Sequence, residues 1–96
     1  MGSLEEYHSN GKPVSAKRIF VGSKGSVTSI QLQRNSTLEK HSSPTPAYLL
    51  CVEGIVYYED ELERELTLEA GEWAHIESNV LHWLYAPVLS QLVLIQ

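Results

Sequence analysis

Turn-forming residues divide the chain into short apolar segments, and this division limits the possible folds more than any other feature of its 96 residues. In residues 27–33, Thr28, Ile30 and Leu32 share one side of a two-residue alternation that is typical of a half-buried β-strand. Residues 61–70 have a helix-favouring composition, but their short length and their neighbouring segments favour a strand. The predicted strands are 18–22, 27–33, 38–43, 48–59, 61–70, 72–76, 81–86 and 88–96. The sequence therefore predicts an all-β fold in which about eight or more short antiparallel strands form a β-sandwich or barrel.

One domain is expected for a chain of this length. Residues 1–15 are polar, contain Pro13 and show no periodicity, so we expect a flexible N-terminal arm. Residues 16–96 then form the single domain. Gly54 interrupts the long apolar segment 48–59, and this interruption predicts a bulge or a bend within that strand.

Charge is unevenly distributed along the chain, whose formal net charge is -5. Residues 1–50 carry a net charge of +3, and residues 51–96 carry a net charge of -8. The basic residues are scattered rather than clustered, which gives no support for a nucleic-acid partner. The acidic stretch 59–65 is interpreted as a solvated turn. The longest apolar run, residues 47–52, is too short to cross a bilayer, so we expect no membrane partner.

Cysteine content limits both the covalent chemistry and the compartment. Cys51 is the only cysteine of the chain, and one thiol forms neither an intramolecular disulfide nor a thiolate zinc cage. We therefore expect a cytoplasmic protein. We also expect Cys51 to lie in the core, because unpaired cysteine is among the most buried residue types.

The first of two motif frames covers residues 35–54. Its spacing is G(x)5HxH(x)3,4E(x)6G, in which His41 matches the first histidine and Gly54 matches the last glycine. The other three positions differ and are occupied by Asn35, Ser43 and Ala47.

The second frame covers residues 71–86 with the spacing G(x)5PxG(x)2H(x)3N, and Gly71 and His82 match it. The other three positions differ and are occupied by Glu77, Asn79 and Ala86. With these two frames the chain resembles the cupin superfamily, as a small single-domain conserved-barrel cupin with degenerate motifs. The resemblance implies a small jelly-roll β-barrel with a pocket in its mouth.

The resemblance also implies a divalent metal ion. In cupins two histidines and a glutamate of the first motif, together with the histidine of the second, usually hold it. His41 and His82 stand at two of these four positions, whereas Ser43 and Ala47 leave the other two without a good ligand. Because metal sites in proteins use three or four ligands, a metal here requires a further ligand from elsewhere in the chain.

A local argument supplies a third histidine. If residues 77–80 form a hairpin loop, His75 lies opposite His82, and directly opposed residues share one face of a sheet. We therefore expect His41, His75 and His82 to converge and to hold one divalent iron, nickel, zinc or copper ion. Two alternatives stay open: a register shift of one residue would turn His75 outward, and two imidazoles could line a metal-free polar pocket.

The same register places Trp73 opposite Leu84 and inside the cavity. The predicted ligand-binding residues are Ser43, Trp73, His75 and Leu84. Imidazoles and a serine supply hydrogen bonds and the indole supplies an apolar wall, so we predict a protein that binds a small polar or anionic molecule. One alternative is a metal-dependent enzyme of the dioxygenase or isomerase type, for which no catalytic residue is assigned. The other is a non-catalytic sensor or interaction module with a packed interior.

The last predicted strand, residues 88–96, is apolar on both faces. Leu92 and Leu94 lie on one face, and Val93 and Ile95 lie on the other. A small protein that left such a surface in water would be poorly soluble, so we expect a homodimer that buries it. The alternative is that the N-terminal strand or arm covers this face within one subunit.

Overall fold

The computed structural model describes residues 1–96, and nearly all of its regular structure is β-strand. One short 3₁₀-helix, Leu4–Tyr7, precedes nine strands. The strands are β1 (Val14–Val21), β2 (Ser26–Leu32), β3 (Ser36–His41), β4 (Ala47–Glu53), β5 (Ile55–Asp60), β6 (Glu65–Glu69), β7 (Trp73–Ile76), β8 (His82–Ala86) and β9 (Ser90–Ile95). The prediction of an all-β fold with eight or more short strands is confirmed. The structure has no helix able to span a lipid bilayer.

The strands form two antiparallel sheets that pack face to face. The large sheet has the strand order β1-β2-β9-β4-β7, and the small sheet has the order β3-β8-β5-β6. Several neighbours are distant in sequence, since β2 pairs with β9 and β3 pairs with β8. These long-range pairings give the sandwich its jelly-roll character.

The hydrophobic core lies between the two sheets. Its fully buried side chains include Leu32, Leu49 and Leu92 of the large sheet and Val56, Tyr58 and Leu84 of the small sheet. Cys51 is also fully buried in this core, as the sequence predicted. Each fully buried leucine or valine stabilises the fold by about 2 kcal/mol relative to an exposed one.

The ordered sheet begins earlier than the sequence predicted. β1 starts at Val14, inside the segment predicted as an arm, and pairs along its length with β2. The imidazole of His8 also contacts the large sheet, with Nδ1 2.7 Å from the Ser15 hydroxyl and Nε2 2.8 Å from the Ser29 hydroxyl. The flexibility of residues 1–15 stays a prediction, but the segment is tied to the outer face of this sheet.

The apolar segment 48–59 is two strands rather than one bent strand. β4 belongs to the large sheet and β5 to the small sheet, and Gly54 lies between them with φ at 93°. A Cβ atom at Gly54 would lie 2.6 Å from the Leu89 carbonyl oxygen and would also contact the Ser90 side chain. The chain can therefore pass from one sheet to the other only because this residue has no side chain.

Substitution of Gly54 by alanine should destabilise the fold by about 3 kcal/mol, because left-handed strain is added to a steric clash. The matched control is Gly71→Ala. Gly71 also has positive φ, at 88°, but a Cβ atom there meets nothing within 4 Å, so its loss should be only about 1 kcal/mol. Urea unfolding of both variants measures the difference. Equal losses would show that the close approach at Gly54 does not matter.

Candidate functional site

Two histidines from distant parts of the sequence lie side by side in the small sheet. β3 and β8 are neighbours in this sheet, and their register places His41 opposite His82. The centroids of the two imidazole rings are 4.2 Å apart, and the ring planes are tilted by 59°. His82 is buried whereas His41 is exposed, so the pair lies where the interior of the sandwich opens to solvent.

A cavity of about 180 Å³ lies against this histidine pair, between the ends of the two sheets. It is lined by His41, Ser43, Thr45, Ala47, Ile76, His82, Leu94 and Gln96. The Ser43 hydroxyl oxygen accepts hydrogen bonds from the Thr45 backbone N–H at 3.2 Å and from the Gln96 Nε2 at 3.3 Å. The cavity thus combines a few polar groups with an apolar wall, as ligand pockets commonly do.

Hydrogen bonds to backbone carbonyls assign the tautomers of both histidines. His41 Nδ1 lies 2.8 Å from the Glu39 carbonyl oxygen, and His82 Nδ1 lies 3.0 Å from the Val80 carbonyl oxygen. A carbonyl oxygen only accepts, so Nδ1 carries the proton in each ring. In the neutral imidazole, Nε2 then presents a lone pair and can accept a hydrogen bond.

His82 favours its neutral form. Burial lowers the pKa of its imidazole, and the nearby His41 ring lowers it further. The Val80 carbonyl and the Asp60 carboxylate act in the opposite direction but do not offset burial, so the pKa lies below its ordinary value of 6.5. At neutral pH this ring is therefore uncharged.

A buried carboxylate lies directly behind His82. Asp60 is only 3% exposed and is paired with His82 in the register of β5 and β8. Its oxygens accept hydrogen bonds from the Tyr58 hydroxyl at 2.8 Å, the Arg64 Nε at 2.8 Å and the Leu62 backbone N–H at 2.9 Å. Burial raises the pKa of this carboxyl, but these hydrogen bonds and the charge of Arg64 outweigh burial and hold the pKa below its ordinary value. Asp60 is therefore ionised, and both of its carboxylate oxygens already accept hydrogen bonds within the protein.

Tyr58 completes this buried cluster. Its ring is stacked at 6.0 Å from the His82 ring, and its hydroxyl accepts a hydrogen bond from Arg64 Nη2 at 3.1 Å. Burial, together with the hydrogen bond to Asp60, raises the pKa of Tyr58 to about 12. The phenol therefore stays protonated and supports the histidine by packing.

The interpretation of residues 59–65 as a solvated turn is wrong for Asp60. Tyr58 and Asp60 follow the same two-residue alternation as the buried Val56 on β5, and Arg64 follows four residues later. That alternation, with a cation close by in sequence, was the signal for a buried ion pair.

The expected inward orientation of His75 and Trp73 is wrong. β7 pairs with β4 of the large sheet and not with β8, so residues 77–80 connect two different sheets rather than forming a hairpin. Ala74 and Ile76 point into the core, and His75 and Trp73 point out into solvent. Trp73 is 53% exposed and stacks on Tyr48 with ring centroids 4.8 Å apart.

The remaining predicted residues divide between the cavity and the core. Ser43 lines the cavity beside the histidine pair. Leu84 is 1% exposed and is part of the hydrophobic core rather than of the cavity wall. Of the predicted ligand-binding residues, Ser43 is the one that lies beside His41 and His82.

The side chains of the site do not fit the metal ion that the cupin resemblance implies. No group of three or more His, Cys, Asp or Glu side chains in the structure could hold a metal ion. His75 lies on another face, Ala47 offers no donor atom, and Asp60 is occupied by its own partners. Two neutral imidazoles fall short of the three or four ligands that such sites use.

Comparison with solved structures shows the same fold in proteins of low sequence identity. A conserved protein of unknown function from Streptococcus pyogenes superposes with a TM-score of 0.82 at 17% identity, over 99% of this chain and 83% of that one. A cupin superfamily protein from Desulfitobacterium hafniense gives a TM-score of 0.84 at 6% identity, over 97% and 84% of the two chains. KdgF from Halomonas sp. gives a TM-score of 0.79 at 13% identity, over 92% and 82%.

These likenesses establish the fold of the chain as a single-domain cupin jelly roll. No protein-family model matches the sequence, and no curated protein matches it. The fold resemblance based on two degenerate motifs is therefore confirmed by three-dimensional structure, at identities that carry no information about a ligand or a reaction.

The lowered pKa of His82 makes the stability of the fold depend on pH. Below about pH 6.5 the unfolded chain takes up a proton that the folded protein does not, so the free energy of unfolding should decrease as pH falls from 7 to 5. His8 contributes in the same direction, because burial and the charge of Lys17 lower its pKa as well. Urea unfolding across this range measures the slope.

Each of His82→Asn and His8→Asn should remove part of this pH dependence, and the double variant should flatten it further. A double variant that retained the whole wild-type slope would contradict the assignment of the slope to these two imidazoles.

Proposed function

We propose that this protein binds a small molecule in the cavity beside His41 and His82, without a metal ion. The observation that carries the proposal is the pair of neighbouring imidazoles, whose Nδ1–H groups are fixed by backbone carbonyls and whose Nε2 lone pairs remain for a ligand. These hydrogen bonds hold each ring in one orientation before a ligand binds. Preorganised groups of this kind lose little conformational freedom on binding.

The walls of the cavity support the same proposal. Ser43 and the two histidines supply polar atoms, and Ala47, Ile76 and Leu94 supply apolar surface. A few convergent polar groups on an apolar background are characteristic of small-molecule sites. With a volume of about 180 Å³, the cavity has the size of roughly six water molecules in the liquid, which favours a small ligand.

A wider hollow of about 500 Å³ on the outside of the small sheet is a weaker candidate. It is lined by acidic side chains, including Glu59, Glu63 and Glu65. Of the two cations beside it, Arg64 is already paired with Asp60, and Lys40 lies over the ring of Trp83, which lines the hollow. Its polar groups therefore repel one another or are satisfied within the protein.

Binding is tested by titrating the protein with small polyols and with small carboxylic acids while imidazole resonances are followed by NMR. At least one probe should shift the resonances of His41 and His82. His41→Asn and His82→Asn should each weaken that binding by about tenfold, because each removes one hydrogen bond to the ligand and part of the wall. Addition of a chelator should leave the affinity unchanged.

The matched control is His75→Asn, which removes a histidine from the outer face of the large sheet and should leave the affinity unchanged. If no probe shifts the two resonances, or if the His75 variant loses binding as strongly as the His82 variant, the proposed site is wrong.

We also propose that two copies associate through the outer face of the large sheet. Tyr48, Leu50 and Trp73 form an apolar surface there with Val93 and Ile95, and the 3₁₀-helix covers a different part of this face, near Gln91. Exposed apolar surface of this kind marks interaction sites.

The outer face of the small sheet is less suited to association, because two of its three aromatic residues, Trp83 and Tyr85, already have polar partners: the Tyr85 hydroxyl donates a hydrogen bond to Asn35 Oδ1 at 2.9 Å. Trp83 Nε1 donates a hydrogen bond to Glu59 Oε2 at 2.6 Å, and the Lys40 ammonium lies 4.7 Å from the centre of the indole ring.

Charge favours a second copy as the partner of the large sheet. Lys17 and Arg18 lie on β1 at one edge of this sheet, and Glu72 and Glu77 flank β7 at the opposite edge. A two-fold axis parallel to the strands would place the basic edge of one copy over the acidic edge of its partner.

Light scattering at micromolar concentration should therefore give twice the monomer mass of 10.8 kDa. Trp73→Glu should shift the protein to monomer by placing a charge in the apolar contact. Leu62→Glu, at an exposed apolar residue of the β5–β6 turn, should not. A wild-type protein of monomer mass would exclude the dimer without affecting the cavity.

A further inference from the structure

The hydrogen-bonding character of the cavity limits the chemistry of its ligand. His41 and His82 each present a lone pair at Nε2, since both Nδ1–H groups are used by backbone carbonyls. The Ser43 oxygen already accepts hydrogen bonds from Thr45 and Gln96, so its own O–H proton is left to donate. The two imidazoles and Ser43 therefore offer two acceptors and one donor, and the Thr45 hydroxyl and the Gln96 amide oxygen of the lining add one neutral hydroxyl and one further acceptor.

The cavity offers no fixed positive charge. Neither lysine nor arginine is among its lining residues. The closest guanidinium in the buried cluster, that of Arg64, is held by Asp60 in an ion pair of 2.8 Å. An anion would have to give up its water for two imidazole lone pairs, two hydroxyl groups and one neutral amide, and this desolvation would be poorly compensated.

A molecule with two adjacent hydroxyl groups matches this arrangement. The imidazole rings are neighbours, with centroids 4.2 Å apart, so hydroxyls on adjacent carbons can each donate to one ring. An oxygen of the same molecule can accept the Ser43 proton. The apolar side chains of Ala47, Ile76 and Leu94 can then pack against its C–H groups.

We infer that the ligand of this cavity is a small neutral polyol bearing a vicinal diol, and not a carboxylate or another anion. The inference rests on the proposed function and narrows it to one ligand class. It also gives Ser43 a role. Ser43 stands where the cupin motif has a metal-ligating histidine, and its hydroxyl donates a hydrogen bond, which an imidazole that accepts at Nε2 cannot do from that atom.

Three probes of equal carbon number test this inference: erythritol, 1,4-butanediol and succinate. All have four carbons, but only erythritol has adjacent hydroxyls and only succinate is charged. Titrations at pH 8 and constant ionic strength, followed through the His41 and His82 resonances, should show erythritol binding at least tenfold more tightly than the other two. Tighter binding of succinate would overturn the inference and leave the small-molecule site in place.

A change of specificity provides the second readout. His41 is exposed, so His41→Lys should fold normally, and far-ultraviolet circular dichroism checks this. The new ammonium replaces an acceptor with a cationic donor, so the variant should lose erythritol binding by at least tenfold and bind succinate more tightly than wild type. Ser43→Ala should weaken erythritol binding severalfold, and His75→Lys should change neither affinity.

The outcomes separate the two proposals. If 1,4-butanediol binds as tightly as erythritol, adjacent hydroxyls do not matter and the inference fails. If His41→Lys leaves both affinities unchanged, the ligand does not contact this ring and the inference also fails. If none of the three probes, and none of the wider set of polyols and acids, shifts either histidine, the proposed function fails with it.

Discussion

The pairing of β3 with β8 is the constraint on which the site depends. His41 and His82 are far apart in sequence, and the antiparallel pairing of β3 with β8, including a register shift in β3 before His41, places them opposite each other. Leu38 lies opposite Leu84 on the same pair of strands, and a bulge in β3 between Leu38 and His41 shifts the register so that both pairs form. On β8 a slip by one residue would turn His82 outward and expose Leu84 at the same time. Packing of the core therefore enforces the geometry of the site.

Next to this pair of strands, the small sheet contains a buried negative charge that is stabilised by hydrogen bonds. Asp60 lies beneath His82, and its desolvation is offset by hydrogen bonds from Tyr58, Leu62 and Arg64. A carboxylate in this position would be strongly destabilising without its cation. With Arg64 present, the Asp60 carboxylate stabilises the turn between β5 and β6, because it accepts hydrogen bonds from the Leu62 backbone and the Arg64 side chain in that turn. The acidic composition of the segment thus conceals a structural ion pair.

Sequence reasoning succeeded where a pattern is local and failed where it depends on which strands pair. Two-residue alternation identified nearly every strand, and motif spacing brought His41 and His82 to one site. The orientation of His75 depended on an assumed hairpin between β7 and β8, and these strands belong to different sheets. At Gly54 the sequence predicts only a bulge or a bend, because an isolated glycine does not show whether the chain stays in one sheet or passes to the other. Asp60 was missed because its burial requires a partner across the turn.

Arg64 has a consequence beyond neutralising its carboxylate. Its Nη2 also donates a hydrogen bond to the His75 carbonyl at 2.8 Å, which joins the turn of the small sheet to β7 of the large sheet. This hydrogen bond links the two sheets close to the opening of the cavity. Loss of the Arg64 side chain would therefore remove both the partner of Asp60 and this link between the two sheets.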